Sequence, residues 1–284
     1  MMNFNGTIID QNQFSASLNN RGLHYGDALF ETMKVVGRRI LLAETHYFRL
    51  MASMRLVRME IPMYWTPEFF QKEVNKTLKG QKDASAFRVK ILVWRDWGGR
   101  YTPTSEGVVY SIFSEPLTQA QYTINEQQYL VDLYKDHYTN NGMLEQLKTN
   151  NKLINVLAGI YAKENDYDSC LLLNHNKQVV EGISGNLFLI QDYKIKTPPL
   201  SDGCLKGVMR GVLLEILAKH PDYIVTEESI SPFELQKADE LFLTNVITGI
   251  QPITQYRKKQ FAQKISEELT QKLNEFAGLS AKSS

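Results

Sequence analysis

Apolar and polar positions divide this chain into short elements of both kinds. Residues 3–10 alternate and then turn at Asp10-Gln11-Asn12, which predicts a short strand pair. Asn19-Asn20-Arg21-Gly22 reads as a turn. Residues 28–46 read as a strand, a turn at Gly37 and a second strand ending near Leu42. From 44 to 57 the apolar side chains Tyr47, Leu50, Met51, Met54 and Leu56 recur at helical spacing. The segment 66–80 predicts a second helix, with Thr66 as N-cap, Pro67 at the first helical position and Gly80 after the end. SAFRVKILVWR (85–95), the turn DWGGRYTP and GVVYSIFSEPL (107–117) read as paired strands.

The second half begins with a strand at 129–138 and a helix from about Asn151 to Asn165. A strand meander follows, with turns at Asn174–Lys177, Glu181–Gly185 and near Asp192. LKGVMRGVLLEILAKH (205–220) predicts a helix and SPFELQKADE (231–240) a shorter one. Residues 240–257 read as strand, turn, strand, and 261–278 as a terminal amphipathic helix; the tail LSAKSS reads as disordered. The class is mixed α/β. The proline-bearing polar stretch near 116–122 suggests a linker between a smaller N-terminal domain, 1–115, and a larger C-terminal one, 123–284.

Charge and composition narrow the function mainly by exclusion. The formal net charge is +1, which gives no electrostatic case for nucleic acid or an anionic membrane as partner. The basic clusters KGQK (79–82) and YRKKQ (256–260) are short and read as solvated surface. Cys170 and Cys204 fit no metal spacing and read as buried apolar residues of a reduced, cytoplasmic protein. No basic segment followed by an apolar run stands at the N-terminus, so no signal peptide is expected, and no apolar stretch is long enough for a transmembrane helix. The GxGxxG, Walker A, HExxH and CxxC patterns are absent. The five histidines are scattered, and His46, at a helix start beside apolar residues, reads as structural.

What remains is a set of small, polar turns. GISGN (182–186) follows Glu181. CLKGVMR (204–210) puts the backbone N–H groups of Gly207, Val208 and Met209 at a helix start. LTNVITG (243–249) ends a strand in a polar turn. Helix starts and such turns suit anions, because free N–H groups and the helix dipole point at the ligand. Lys148, ahead of Thr149-Asn150-Asn151, could be a surface turn lysine or a reactive amine. Read singly, Glu181 fits a turn carboxylate and Arg49 a helix-surface arginine paired to Glu44.

Taken in order, the motifs NRGLHYGDALFETMKV (20–35), HYFRL (46–50), the lysine, VVEGISGNLFLI (179–190), GCLKGVMR (203–210) and ADELFLTNVITGIQPI (238–253) resemble those of the class IV aminotransferases, the fold-type IV pyridoxal-phosphate enzymes. The resemblance spans roughly residues 3 to 255. It implies two domains with pyridoxal 5'-phosphate at their interface and usually a homodimer. It implies Lys148 as the Schiff-base lysine and Glu181 as partner of the pyridine nitrogen. Arg49, the Gly207-Val208-Met209 helix start and the Thr244-Asn245-Val246 turn fall at the family's phosphate positions, and Asn151 and Asn155 at positions that support the cofactor loop.

Two substrate classes stay open, and beside them a non-catalytic homologue that binds no cofactor, against which the joint presence of Lys148, Glu181 and Arg49 argues. The chain has FETMK (30–34) and Leu153 where branched-chain enzymes have F-E-G-x-R and a tyrosine. It has Phe30 and Arg100-Tyr101-Thr102 where D-amino-acid enzymes have a tyrosine and R-x-H. WRDWGGRYTP (94–103) and GVMR (207–210) resemble the 4-amino-4-deoxychorismate lyases. The resemblance thus implies amino transfer between a small amino acid and a 2-oxo acid, or release of pyruvate and p-aminobenzoate from aminodeoxychorismate. Arg100 is the candidate for the substrate carboxylate, since a guanidinium fork suits one. Tyr25 and Phe30 are further candidate pocket residues; no metal is expected.

Overall fold

The structure is a computed structural model and describes residues 1–79 and 84–280. Gly80, the KGQK cluster beyond Lys79 and the tail beyond residue 280 lie outside the described residues. The chain forms two compact units, Met1–Ala120 with Lys148–Asn151, and Gln121–Leu147 with Lys152–Ser284.

The first unit is an antiparallel sheet carrying helices. In chain order it contains β1 (Met2–Phe4), β2 (Thr7–Ile9), α1 (Arg21–Tyr25), β3 (Ala28–Val36), β4 (Arg39–Ile40), α2 (Ala43–Leu56), α3 (Pro67–Thr77), β5 (Ala86–Arg95) and β6 (Val108–Leu117). The strand order is β2-β1-β6-β5-β3-β4. Successive side chains on a strand face opposite ways. Leu29, Glu31, Met33 and Val35 of β3 therefore share one face, and their burial beside Leu50 and Met54 of α2 gives this unit its core. Phe30, Thr32 and Lys34 share the other.

Local chemistry explains the ends. Thr66 accepts from the Phe69 N–H and caps α3, with Pro67 at the first position. Two expectations shift. The first hairpin turns at Asn5-Gly6, not at residues 10–12: both have positive φ, 45° and 88°, the pairing that a tight hairpin needs. Asp10 instead caps a 3-10 turn, Gln11–Gln13, by accepting from the Asn12 N–H. The expected turn at 19–22 becomes α1, because the Asn20 side chain accepts from the Leu23 N–H.

The second unit contains β7 (Leu130–Thr139), α4 (Leu153–Glu164), β8 (Ser169–Asn174), β9 (Val179–Gly182), β10 (Asn186–Gln191), β11 (Lys194–Thr197), α5 (Val208–Ala218), β12 (Ile224–Glu227), β13 (Glu240–Asn245), β14 (Gly249–Ile253), β15 (Gln255–Tyr256), β16 (Lys259–Gln260) and α6 (Lys264–Phe276). Its sheet mixes directions: β7 pairs parallel with β8 and β15, and β11 parallel with β12, while β10 runs antiparallel to β11 and β13. Leu171, Val179, Leu187, Leu241, Ile253 and Tyr256 lie in its main core. Cys170 and Cys204 are both buried. The helix expected at 231–240 shrinks to a 3-10 turn, Glu234–Gln236, because Ala238 is locked into the core and Glu240 already belongs to β13. β12, four residues on the sheet's edge, was not expected. Among the described residues, no helix is long and apolar enough to cross a membrane.

Candidate functional site

Lys148 owes its position to a free strand edge. Beyond Phe30 the outer edge of β3 is taken by β4, which pairs only with Val35 and Val36. The stretch Lys148–Asn150 adds to the open part: the Phe30 N–H donates to the Lys148 carbonyl at 2.9 Å and the Asn150 N–H to the Ala28 carbonyl at 3.0 Å, around an antiparallel bridge between Leu29 and Thr149. This pairing is why Lys148–Asn151 group with the first unit, where the sequence suggested the C-terminal domain. Lys148 and Phe30 are thereby cross-strand neighbours, and the Lys148 Nζ stands 4.6 Å from the Phe30 ring centroid. Asn151 stays in the same unit, its amide donating to the Gly26 carbonyl at 3.5 Å.

Arg49 lies under the opposite face of β3. It does not pair with Glu44. Its Nε and Nη2 donate to the two carboxylate oxygens of Glu31, each at 2.6 Å, and Glu31 is 1 % exposed. The His46 Nδ1 bonds the same carboxylate at 2.7 Å. Burial alone would raise the Glu31 carboxyl, but the Arg49 charge and the His46 and Arg49 hydrogen bonds hold it at about 2. Burial lowers His46, and Lys148 is among the cations pushing it the same way. The His46 Nε2 is buried with no hydrogen-bond partner. The histidine read as structural is thus an oriented ring with one unsatisfied nitrogen, next to a fixed guanidinium. Glu31, three residues beyond Ala28 in the same motif, also went unnoticed; an acidic residue on the apolar face of a strand was its only signal.

Tyr25, Phe30 and Arg100 all belong to this unit. Arg21 is 4 % exposed, stacks over Tyr25 at 4.9 Å, bonds Asp27 at 2.9 Å and donates to the Gly98 and Arg100 carbonyls at 3.0 and 2.6 Å. Arg95 shares Asp27 at 2.9 Å. The loop that carries Arg100 is therefore pinned by its backbone, while the Arg100 side chain is exposed. Tyr25 leans on Tyr101, centroids 5.6 Å apart.

The second unit gathers the other candidates. Glu181 on β9 is half-buried, and its Oε2 accepts from the Leu205 N–H at 2.9 Å and the Asn186 amide at 3.5 Å. Asn186 also donates to the Leu205 carbonyl at 2.8 Å, so it ties the carboxylate to the segment entering α5. Gly207 caps α5 beside it; a Cβ there would stand 2.0 Å from the Asn186 Oδ1. Val208 and Met209 bury their side chains, leaving only backbone N–H groups, which lack acceptors within the helix at its first turn. In the turn between β13 and β14 the Thr244 hydroxyl donates to the Gly249 carbonyl at 2.6 Å, and the Asn245 Oδ1 accepts from Ile247 and Thr248. The Val246 carbonyl accepts from the Tyr122 hydroxyl. Thr244 and Asn245 thus shape the turn with their side chains and can offer a ligand mainly its backbone. Asn155 on α4 donates to the Ile183 carbonyl at 2.8 Å, bracing the turn after Glu181.

Comparison with known proteins is consistent across sequence and structure. The family model for amino-transferase class IV matches residues 28–256. A Methanocaldococcus jannaschii protein, provisionally named branched-chain-amino-acid aminotransferase, is 28 % identical over 271 residues, covering 95 % of this chain and 93 % of that protein. An aminodeoxychorismate lyase of Vibrio harveyi is 28 % identical over 244 residues, 85 % of this chain and 88 % of the lyase. In fold, the branched-chain aminotransferase of Thermoproteus uzoniensis, solved with norvaline, superposes with a TM-score of 0.87 at 21 % identity, covering 99 % of this chain and 96 % of that one.

Proposed function

The chain belongs to the class IV aminotransferases, and from that premise we propose that it uses pyridoxal 5'-phosphate to move an amino group between a small amino acid and a 2-oxo acid. The cofactor, when bound, supplies an electron-withdrawing ring that accepts the electron pair left at the substrate Cα when its proton departs. Everything else falls to the residues of the chain.

In this reading Lys148 holds the cofactor covalently through its Nζ and carries the proton to and from the substrate Cα. What supports the reading most is the seating of Lys148 on the free edge of β3, which fixes its backbone and sets its amine against Phe30. Glu181, tied through one oxygen to Leu205 and Asn186, presents its carboxylate to the pyridine nitrogen. Arg49 and the N–H groups of Gly207, Val208 and Met209 bind the phosphate, with the Thr244-Asn245-Val246 turn. The residues fit such a group: beside Arg49 the His46 Nε2 is a buried polar atom lacking a partner, and Gly207 gives the start of α5 no side chain of its own. Arg100 receives the substrate α-carboxylate, with Tyr25 and Phe30 as walls. The homodimer and the cytoplasmic setting implied by the resemblance belong to the same proposal, and sedimentation of the purified protein tests the first.

The test is a visible spectrum of the protein reconstituted with pyridoxal phosphate, before and after L-glutamate, L-leucine and D-alanine in separate cuvettes. Loss of the band of the lysine-bound cofactor with one donor establishes amino transfer and its handedness. Lys148→Ala should lack that band, and borohydride should fix the cofactor to Lys148 in the parent; label on another lysine refutes the assignment. A lyase reading is favoured by the WRDWGGR loop, which Arg21 pins by its Gly98 and Arg100 carbonyls. A band unchanged by all three donors, with pyruvate and p-aminobenzoate released from aminodeoxychorismate, would establish it.

A further inference from the structure

The dipeptide Asn-Gly occurs twice in this chain, at Asn5-Gly6 and at Asn141-Gly142. In this pair the backbone nitrogen after the asparagine can reach the side-chain amide most easily, because glycine has no Cβ in the way. The fold treats the two copies in opposite ways. In the β1–β2 hairpin the Asn5 Oδ1 accepts from the Tyr110 N–H at 2.9 Å, and the Gly6 N–H donates to the Asn3 Oδ1 at 2.8 Å. Asn3 is itself buried and bonded to Glu73 at 2.7 Å, so both reacting groups of this copy are engaged. Asn141 and Gly142 lie in the exposed link between β7 and the 3-10 turn Met143–Gln146. Among the described residues neither the Asn141 side chain nor the Gly142 N–H has a hydrogen-bond partner, and a Cβ on Gly142 would meet nothing within 4 Å. The same link is seated on the segment that enters α5. A Cβ at Gly203 would stand 2.1 Å from the Asn140 carbonyl oxygen and 3.4 Å from the Asn141 Cα. The Gln146 amide donates to the Leu200 carbonyl at 3.3 Å, and the Lys206 N–H donates to the Gln146 carbonyl at 3.2 Å. Residues 200–206 thus rest on the link, and Leu205 among them gives its N–H to Glu181.

We propose that Asn141 is a site of spontaneous modification, and that its conversion to isoaspartate loosens the segment before α5. The Gly142 nitrogen attacks the Asn141 Cγ. The new N–C bond closes a cyclic imide, and the side-chain nitrogen leaves as ammonia, carrying the proton that Gly142 loses. Water then opens the imide. Opening at the side-chain carbonyl leaves aspartate; opening at the main-chain carbonyl leaves isoaspartate, with the chain now running through the former side chain. Isoaspartate lengthens the backbone by one methylene at the residue whose Cα lies against Gly203, where the contact is too close for a side chain. Aspartate brings the same charge to the same exposed place without that lengthening, so the two products separate geometry from electrostatics, which solvent and salt screen here. The effect on the cofactor rests on the reading of Glu181 and α5 given above; the modification itself does not.

The test is to hold the purified protein at mildly alkaline pH and follow both Asn-Gly peptides by mass spectrometry, with isoaspartate read by enzymatic methylation. Asn141 should convert at least about tenfold faster than Asn5, where two hydrogen bonds must break before the ring can close. Gly142→Ala, at a position whose φ of −110° and open surroundings admit a Cβ, should slow conversion at Asn141 alone and leave the melting temperature unchanged. Equal rates at the two asparagines, or no conversion at Asn141, overturn the site. In the isoaspartyl protein, hydrogen exchange at the Leu205 and Lys206 amides should quicken severalfold, and the dissociation constant for pyridoxal phosphate should rise with it. Asn141→Asp should match the fresh parent in both. Unchanged exchange in the isoaspartyl protein overturns the loosening. Failure of the proposed function reads differently: the fresh protein shows no visible band with pyridoxal phosphate, while conversion and exchange proceed as stated.

Discussion

The groups that the proposed function assigns to an anion differ in kind between the two units. In the first, the candidate groups are charges taken out of water: Glu31, 1 % exposed, holds Arg49 and His46 through three short bonds. In the second they are backbone N–H groups at the start of α5, shaped by Gly207 and tied by Asn186 to Glu181. A site made of buried charge is strong but depends on every partner and on pH. A site made of backbone depends on the space around it and is indifferent to pH. The predictions below use that contrast.

The largest effect should come from Glu31→Gln. It leaves the Arg49 guanidinium facing a neutral amide in a buried place, and removing one partner of a buried ion pair costs about 3–5 kcal/mol. Urea denaturation at neutral pH measures it; a loss below about 1 kcal/mol, the surface-pair range, would mean that solvent reaches the cluster.

Acid should mimic that substitution in the parent. Glu31 is held at about 2 against an ordinary 4.5. Above 4.5 it is ionised in both folded and unfolded chains, and its stabilisation is fully present. As pH falls from there towards 2 the unfolded chain takes up the proton first, so stability is lost, roughly 3 kcal/mol in all from this group. Denaturation curves between pH 5 and 3 should be steeper in the parent than in Glu31→Gln. Parallel curves would mean that Glu31 is not held ionised by its partners.

Gly207→Ala probes the backbone-built half. The added Cβ would sit 2.0 Å from the Asn186 Oδ1, so Asn186 must swing away and give up its bond to the Leu205 carbonyl. The loss should be about 1–3 kcal/mol, the cost of stranding a buried acceptor, and should be the same at pH 5 and pH 8. A pH-dependent loss would show that Glu181 moves with Asn186, and the contrast between the units would narrow.

These elements also mark what the sequence could disclose. Thr66-Pro67 announces α3, and the spacing of Leu50, Met51 and Met54 announces α2, because caps and periodicity are local. The Asn5-Gly6 turn was also local, yet the alternation running through it drew the turn to Asp10, which caps a 3-10 turn of its own. Lys148 could be singled out only through the order of motifs, since its seat is a strand edge 118 residues earlier in the chain, at Phe30. The same holds for Glu31: its place on the apolar face of β3 says that it is turned from solvent, but nothing near it in sequence says that it meets Arg49 and His46. Periodicity reports which face is buried, and it is silent on which charged groups meet there.

The smallest effect sharpens the comparison most. Asn155 donates one half-buried hydrogen bond, to the Ile183 carbonyl in the turn after Glu181. Asn155→Ala should cost only about 1 kcal/mol of stability, the net value of a typical hydrogen bond. If the backbone-built half works by shape, that small loss should still loosen the turn that carries Glu181 and raise the dissociation constant for pyridoxal phosphate severalfold. Fluorescence titration of the cofactor measures it, beside a melting curve. An unchanged dissociation constant would show that Asn155 has no part in positioning the Glu181 carboxylate and serves only to dock α4.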